Sequence, residues 1–151
     1  PFVFGGDFAL DRTSTGTGAD NGDNLVQRGL FGKSAQYKIQ LDGGRPSCRV
    51  AGTRGDVTVT MKEQVEPGAW YRARCTRRGH RVTLSVAPIG ADGQVGEAVT
   101  LTEQGRTGSV EMASGTPMSV GGKLGADGGV VRVSSDQFNG LVDEIVYDLL
   151  D

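Results

Sequence analysis

Apolar and polar residues alternate along most of the chain with a period of two residues. In the segment 36–41, for example, single polar residues separate Tyr37, Ile39 and Leu41. Successive side chains of a β-strand point to opposite faces, so this period predicts strands with one buried face. The pattern covers residues 2–10, 25–29, 36–41, 47–51, 57–61, 69–76, 82–86, 95–101 and 117–123.

The closing segment, residues 137–150, is apolar on both sides of the alternation. Ile145, Tyr147 and Leu149 fall on one face, and Val142, Val146 and Leu150 on the other. A strand that is apolar on both faces is typical of a buried position. We therefore expect this segment to close the domain by pairing in the middle of a sheet, which would leave residues 1–151 as one complete domain.

Turn residues separate the alternating segments. The triplets Asp42-Gly43-Gly44, Glu66-Pro67-Gly68 and Ala91-Asp92-Gly93 are typical of tight turns between antiparallel strands. About eleven or twelve strands result, and two stacked antiparallel sheets bury so many alternating strands most economically. Residues 11–24 and 124–137 lack the alternation and predict long surface loops, where function often lies.

Composition agrees with an all-β fold and excludes some partners. The 25 glycines favour short strands and turns, and the formal net charge of −2 gives no reason to expect nucleic acid. No apolar stretch approaches the roughly 20 residues of a membrane span, so we expect no membrane insertion. Residues 1–4 lack a signal-peptide pattern, so any export signal would lie outside this sequence.

The chain has two cysteines, Cys48 and Cys75. One histidine and no paired CxxC motif make a zinc site a poor explanation, and a disulfide the better one. A disulfide that closes this loop would stabilise the fold by roughly 3 kcal/mol on the loop-entropy model. It would also indicate an oxidising compartment, and hence a secreted or cell-surface protein.

Several segments, in order, resemble the laminin G-like domains of the concanavalin A-like superfamily. Residues 24–29 (NLVQRG) resemble that family's LVSKG strand, and residues 36–41 (QYKIQL) its YxLxL strand. Residues 67–71 (PGAWY) with 82–86 (VTLSV) resemble its GxWH and VxLYV segments. Residues 117–122 (PMSVGG) resemble PLxIG, and residues 138–145 (FNGLVDEI) resemble FxGxIDEV. Two departures are Tyr71, where the family often has His, and a longer loop after Val86.

The resemblance implies an all-β, two-sheet antiparallel jelly-roll sandwich. It also implies a non-catalytic, secreted or cell-surface module that binds a carbohydrate, a cell-envelope ligand or a cell-surface protein. The cysteine pair and the many arginines are similar to those of exported actinobacterial proteins. The alternative is a structural protein that associates with copies of itself or decorates a larger particle.

An enzyme is the third interpretation, and the sequence argues against it. Glycosidases of this superfamily carry Glu-x-Asp-x-Glu on one strand, so that alternate carboxylates point into one groove. The nearest segment runs from Glu144 to Asp148 and has Val146 at the middle position. His80 lies in a turn without a nucleophile nearby, so a catalytic triad also lacks support.

Calcium is a possible cofactor, with no other cofactor indicated. Asp20 and Asp23 lie in an oxygen-rich segment that lacks EF-hand spacing, and such segments are often simple turns. The resemblance implies a second arrangement, in which the Asp of the closing motif, here Asp143, joins an early residue such as Asp11.

Two further groups are candidates for ligand binding. Arg72 and Arg74 share one face of a strand and would suit an acidic glycan, unless they form a solvated face balanced by Glu63, Glu66 and other acids. In the two long loops, the candidates are Asn21, Asn24, Asp127 and Asp136. Trp70 could stack on a sugar, but the family resemblance implies a core position.

Overall fold

The computed structural model describes residues 1–18, 20–33 and 35–151. These residues form ten strands: β1 (Phe2–Leu10), β2 (Asp23–Arg28), β3 (Gln36–Asp42), β4 (Arg45–Gly52), β5 (Gly55–Thr60), β6 (Trp70–Arg78), β7 (Arg81–Ile89), β8 (Val99–Gln104), β9 (Met118–Val120) and β10 (Gly140–Leu149). Sheet 1 has the order β10-β1-β6-β7-β8, and sheet 2 the order β5-β4-β3-β2-β9. All pairings are antiparallel, which confirms the predicted two-sheet jelly-roll sandwich with slightly fewer strands than expected.

The core lies between the two sheets, as the alternation predicts. Phe4 and Phe8 of β1 and Leu84 of β7 face Ile39 of β3 and Val50 of β4, and all five are fully buried. Phe138 packs edge-on against Phe8, with ring centroids 6.0 Å apart. The aromatic residue of the closing motif therefore caps one end of the core.

A disulfide joins the two sheets. Cys48 of β4 and Cys75 of β6 are bonded, with their Cα atoms 6.2 Å apart, and both side chains are fully buried. The predicted pairing is confirmed. Because β4 belongs to sheet 2 and β6 to sheet 1, the bond crosses the core.

The position predicted for the closing strand is wrong. β10 pairs with β1 alone and forms the edge of sheet 1. Its inward-facing Tyr147 stacks on Tyr37, but Tyr147 stays 43% exposed and Leu149 69% exposed. The strand that faces β10 at this side of the sandwich is the three-residue β9, which is too short to cover the inner face of the ten-residue β10. We call this side the β9/β10 flank.

Apolar side chains of both edge strands are exposed along the β9/β10 flank, among them Val120, Leu141 and Leu149.

No helix in the described part of the chain is long and apolar enough to cross a membrane.

Candidate functional site

The outer face of sheet 2, which points away from the core, carries amide and cationic side chains. Tyr37, Ile39 and Leu41 face inward, so Gln36 and Lys38 of β3 face outward. The register places Lys38 beside Gln27 of β2 and Arg49 of β4. Three neighbouring strands therefore bring polar side chains together at the middle of one sheet.

Two segments rise beside these strands and turn the face into a groove. Leu30 and Phe31 follow β2, and Lys123, Val131 and Asp136 come from the connection between β9 and β10. With Gln27, Gln36 and Lys38 they enclose a cavity of about 270 Å³. We call this cavity the polar groove.

Hydrogen bonds fix the amides of the polar groove. The Gln27 side chain donates to the Gly29 carbonyl oxygen at 2.8 Å and accepts from the Asn24 side chain at 2.6 Å. The Gln36 side chain donates to the same carbonyl at 3.4 Å and accepts from Arg49. Both glutamines are 2% exposed, so their orientation is set before any ligand arrives.

The cations of the polar groove differ in their partners. Lys123 lies 3.1 Å from the Asp136 carboxylate and donates to Ser134 Oγ at 2.8 Å. Lys38 is half-buried and donates to the Gln40 amide oxygen. Burial lowers the pKa of Lys38, against the attraction of Asp136 and Asp42.

An aromatic ring stands at the rim of the polar groove. Phe31 is 80% exposed, and the Arg49 guanidinium lies 4.9 Å from its ring centroid. A cation over the ring face holds the ring in place, while the rest of its surface stays open. An exposed ring beside oriented amides suits a ligand that has both apolar and hydroxyl faces.

The two long loops meet at one end of the polar groove. The Asn21 side chain accepts from the Asp136 backbone at 3.1 Å and donates to Ser134 Oγ at 3.0 Å. The Asn24 backbone donates to the Asp136 carbonyl at 2.9 Å. The structure thus brings together Asn21, Asn24 and Asp136. It leaves Asp127 apart, in an exposed turn where its carboxylate accepts from the Gly129 backbone.

Of the four carboxylates named as calcium ligands, Asp20 and Asp23 come together. The Asn139 side chain donates to both, at 2.7 Å to Asp20 and 3.1 Å to Asp23. The Asn139 hydrogen bond holds the pKa of Asp20 at about 2, while burial raises the pKa of Asp23. These carboxylates already accept from neutral amides, hydroxyls and backbone groups, and Arg12 lies 3.1 Å from Asp20.

The other two carboxylates lie elsewhere. Asp11 donates its backbone N–H to the Asn139 carbonyl, and Asp143 of β10 pairs with Asp7 of β1. Across residues 1–18, 20–33 and 35–151, no three His, Cys, Asp or Glu side chains are arranged to hold a metal ion. The calcium site stays a prediction, and it would rest on Asp20 and Asp23.

Arg72 and Arg74 lie on the outer face of sheet 1, away from the polar groove. Arg72 forms two hydrogen bonds to the Asp7 carboxylate, at 2.9 and 2.7 Å, and Arg74 lies 3.3 Å from the same group. Asp7, which is 4% exposed, therefore balances them; it is an acid other than the Glu63 and Glu66 named from the sequence. Trp70 lies on this face and is half-buried, outside the core cluster.

Sequence reasoning missed most of the polar groove. Gln27, Gln36, Lys38 and Phe31 were not among the candidate residues. The signal was present in segment 36–41, where the outward positions are Gln, Lys and Gln, although such residues also suit an ordinary solvated face. The covering segments are distant in sequence, so the groove becomes visible only in the fold.

Comparisons with known proteins agree with this architecture. The family model described as "Laminin G domain" matches residues 20–149. The LG1–3 region of the laminin α2 chain superposes with a TM-score of 0.72 at 14% identity, covering 97% of this chain and 26% of that one. Domains LG4–5 of the mouse laminin α1 chain superpose with a TM-score of 0.63 at 13% identity, covering 97% of this chain and 35% of that one.

A more distant structure is tailspike protein 2 of an Escherichia coli bacteriophage. It superposes with a TM-score of 0.60 at 9% identity, covering 99% of this chain and 20% of that one. The chain thus spans about a fifth to a third of the proteins it superposes on, and no curated protein matches it significantly in sequence. At these identities the superpositions show the fold alone.

The family match covers most of the chain, and the two sheets and the closing motif agree with it. Domains of this family are typically non-catalytic binding modules and typically extracellular. The chain belongs to the laminin G domain family.

Proposed function

We propose that this domain is a non-catalytic module that binds carbohydrate, and that the polar groove holds the sugar. The observation that carries the proposal is the exposed Phe31 ring beside the fixed amides of Gln27 and Gln36. Sugar hydroxyls both donate and accept hydrogen bonds, which amides match, and the C–H face of a sugar packs on an aromatic ring. Because the amides are already oriented, little further ordering opposes binding.

The lining of the polar groove supports binding over hydrolysis. Among the described residues that line it, Asp136 is the one carboxylate, and Lys123 pairs with it. Glycoside hydrolysis needs two carboxyl groups on either side of the bond that breaks. The groove therefore lacks that arrangement, which supports a module that holds its ligand unchanged.

A glycan panel followed by NMR tests this proposal. We expect a binding oligosaccharide to shift the backbone signals of β2, β3 and residues 121–137. Phe31→Ala should weaken binding about five-fold, since an aromatic contact contributes about 1 kcal/mol. The matched control is Val99→Ala, an exposed apolar residue of β8, which should leave affinity unchanged. Binding with shifts confined to sheet 1 would contradict the proposal, as would no binding at all.

We propose further that the protein is secreted or displayed at a cell surface. The Cys48–Cys75 disulfide supports this location, because cytosolic proteins rarely keep structural disulfides. Mass analysis of protein alkylated directly on extraction from its native host tests it. Two alkylated thiols would contradict an oxidising location.

Self-association is the second candidate function, and the exposed apolar residues of the β9/β10 flank are the observation that favours it. An edge strand with exposed apolar side chains and unpaired backbone groups is typical of a site where another chain can pair. Light scattering across a hundred-fold concentration range tests it. A mass that stays monomeric would leave carbohydrate binding as the better function.

A further inference from the structure

Two arginines face inward at one end of the sandwich, where alternation would place apolar core residues. Arg77 of β6 pairs with the buried Phe2 of β1, and residues directly opposite each other share a face. Arg28 of β2 pairs in the same way with the inward-facing Tyr37. The two arginines come from opposite sheets and line one cavity of about 420 Å³. We call it the end cavity.

Aromatic rings form a wall of the end cavity. Tyr37 stacks on Tyr147 with ring centroids 5.6 Å apart, and the Phe2 ring lies 5.4 Å from that of Tyr37. The cavity opens between the sheets, whereas the polar groove lies on the outer face of sheet 2. Its volume is in the range of roughly 300–1,000 Å³ that is typical of small-molecule sites. The end cavity is therefore a separate site that can hold a ring.

The guanidinium of Arg77 is incompletely bonded. Its Nη2 donates to Thr107 Oγ1 at 3.2 Å and to the Gly108 carbonyl oxygen at 2.8 Å. Its Nε is buried and has no hydrogen-bond partner among the described residues. A buried charged donor that lacks an acceptor is costly, because its lost hydration is not replaced. The chain thus leaves part of this charge uncompensated.

In the described part of the chain, neither inward-facing arginine forms an ion pair. Arg28 donates from Nε to the neutral Thr116 carbonyl oxygen at 3.1 Å. Burial raises the pKa of the Tyr37 hydroxyl, and Arg28 beside it opposes that rise. A charged group in such partly desolvated surroundings is stabilised by an anion more strongly than it would be in open water.

Glu111 is the one carboxylate among the described residues that line the end cavity. Its side chain is exposed, which places it toward the rim. Two guanidinium groups against one carboxylate leave an excess of positive charge. Arginine matches a carboxylate in shape and charge, and aromatic walls suit an apolar ring.

We propose that the end cavity is a second binding site, for a small carboxylic acid that has an apolar, ring-containing body. The carboxylate pairs with Arg28 and Arg77, and the ring packs against the aromatic wall. This site differs from the polar groove in both its position and the class of ligand it takes.

Calorimetry with matched acids and amides tests the end cavity. Phenylacetate, 3-phenylpropionate and 2-naphthylacetate are each compared with the primary amide of the same acid. We expect at least one acid to bind about ten-fold or more tightly than its amide. The preference should weaken at high salt, because salt screens the attraction between the charges. In NMR spectra, the acid should shift the backbone signals of Arg28, Arg77 and residues 109–112.

Variants assign the preference to the two arginines. Arg28→Lys and Arg77→Lys keep the charge but lose the planar guanidinium. Each should weaken acid binding about ten-fold and leave amide affinity within about two-fold. Glu111→Gln removes the negative charge at the rim and should strengthen acid binding. Arg81→Lys changes an exposed arginine outside the end cavity and should alter neither affinity.

Thermal melts check that the variants fold. Arg28→Lys keeps the test decisive if Arg77→Lys, which loses bonds to the segment after β8, does not fold. An acid and its amide of equal affinity would overturn the proposal, as would a preference that survives both lysine variants. Binding of none of the acids would also overturn it, and a lower melting temperature of Glu111→Gln would then identify Glu111 as the internal partner of the arginines. None of these outcomes bears on sugar binding in the polar groove, which has its own test.

Discussion

Asp7 shows how one buried carboxylate can organise a sheet face. It lies on β1 in sheet 1, and Arg72 and Arg74 of β6 both contact it. Its side chain is 6% exposed, whereas those of the two arginines are 37% and 23% exposed. The carboxylate is thus the member of this network that depends most on its partners.

Asp7→Asn should lower the free energy of unfolding by about 2 kcal/mol, because it leaves two partly buried guanidinium groups without a charge partner. Urea unfolding measures this change. The control is Asp56→Asn, whose carboxylate is half exposed and pairs with Arg49, and which should change stability by less than about 0.5 kcal/mol. Equal effects of the two variants would contradict the central role of Asp7.

The lowered pKa of Asp20 predicts how the stability of the protein changes at acid pH. Its pKa falls from 3.8 to about 2 in the folded protein, mainly because Asn139 donates to it. Its stabilising contribution is therefore complete above about pH 4 and is lost as the pH falls through about 2. The stability difference between wild type and Asp20→Asn should shrink over that range. Urea titrations at pH 5, 4, 3 and 2 measure it, and a constant difference would contradict the assignment.

At the scale of residues, sequence reasoning found groups better than it found their partners. The Cys48–Cys75 pair was predictable because two cysteines allow one intramolecular disulfide. The partner of Arg72 and Arg74 was not, because Asp7 is 65 residues away from Arg72 and alternation alone does not pair strands. Strand register, which a single sequence does not state, decides such contacts.

At the scale of elements, β1 and β10 depend on close backbone approach. A Cβ added at Gly140 would lie 2.0 Å from the Ala9 carbonyl oxygen and 3.0 Å from the Phe138 ring. The glycine of the closing motif therefore lets β10 start beside β1 while Phe138 covers the core. Glycine is required at position 140 because a side chain does not fit there.

Gly140→Ala should lower the free energy of unfolding by about 2 kcal/mol or more, because strand backbone would have to move. Gly115→Ala is the matched control, since an added Cβ there meets no atom within 4 Å. It should leave stability unchanged or raise it slightly. Thermal unfolding compares them, and a silent Gly140→Ala would show that the β1–β10 pairing tolerates displacement.

The same element shows where the periodicity argument failed. An apolar residue on each face of β10 indicated a central strand, yet β10 is an edge strand with exposed Leu141 and Leu149. A register shift between Gly5 and Asp7 interrupts its pairing with β1, and Glu144 beside it has a φ of 46°. The shift moves the β10 residues after it to the opposite face of the sheet. Strict alternation along the sequence therefore assigned some β10 side chains to the wrong face.

At the scale of the whole molecule, the fold class was predictable and the polar groove was not. Alternation and turns repeat along the chain, so many weak signals agree on two antiparallel sheets. The groove forms only where β2, β3 and the connection between β9 and β10 come together, and no local sequence pattern predicts that contact.

Removing the disulfide should weaken the fold without removing the groove. Cys48 and Cys75 are 27 residues apart, so Cys48→Ala with Cys75→Ala should lower the free energy of unfolding by about 3 kcal/mol on the loop-entropy model. The bond lies in the core, whereas the polar groove is on the outer face of sheet 2. Affinity for any sugar that binds the groove should therefore stay within about two-fold of wild type, below the melting transition.

Urea unfolding and calorimetry of the same samples measure both quantities. Reducing agent should destabilise the wild type to a similar extent and leave the stability of the double variant unchanged. This comparison separates the effect of breaking the disulfide from the effect of removing the sulfur atoms. A double variant that stays folded but no longer binds sugar would contradict a groove built within sheet 2. It would show that the pairing of the two sheets sets the positions of Gln36 and Lys38 on β3.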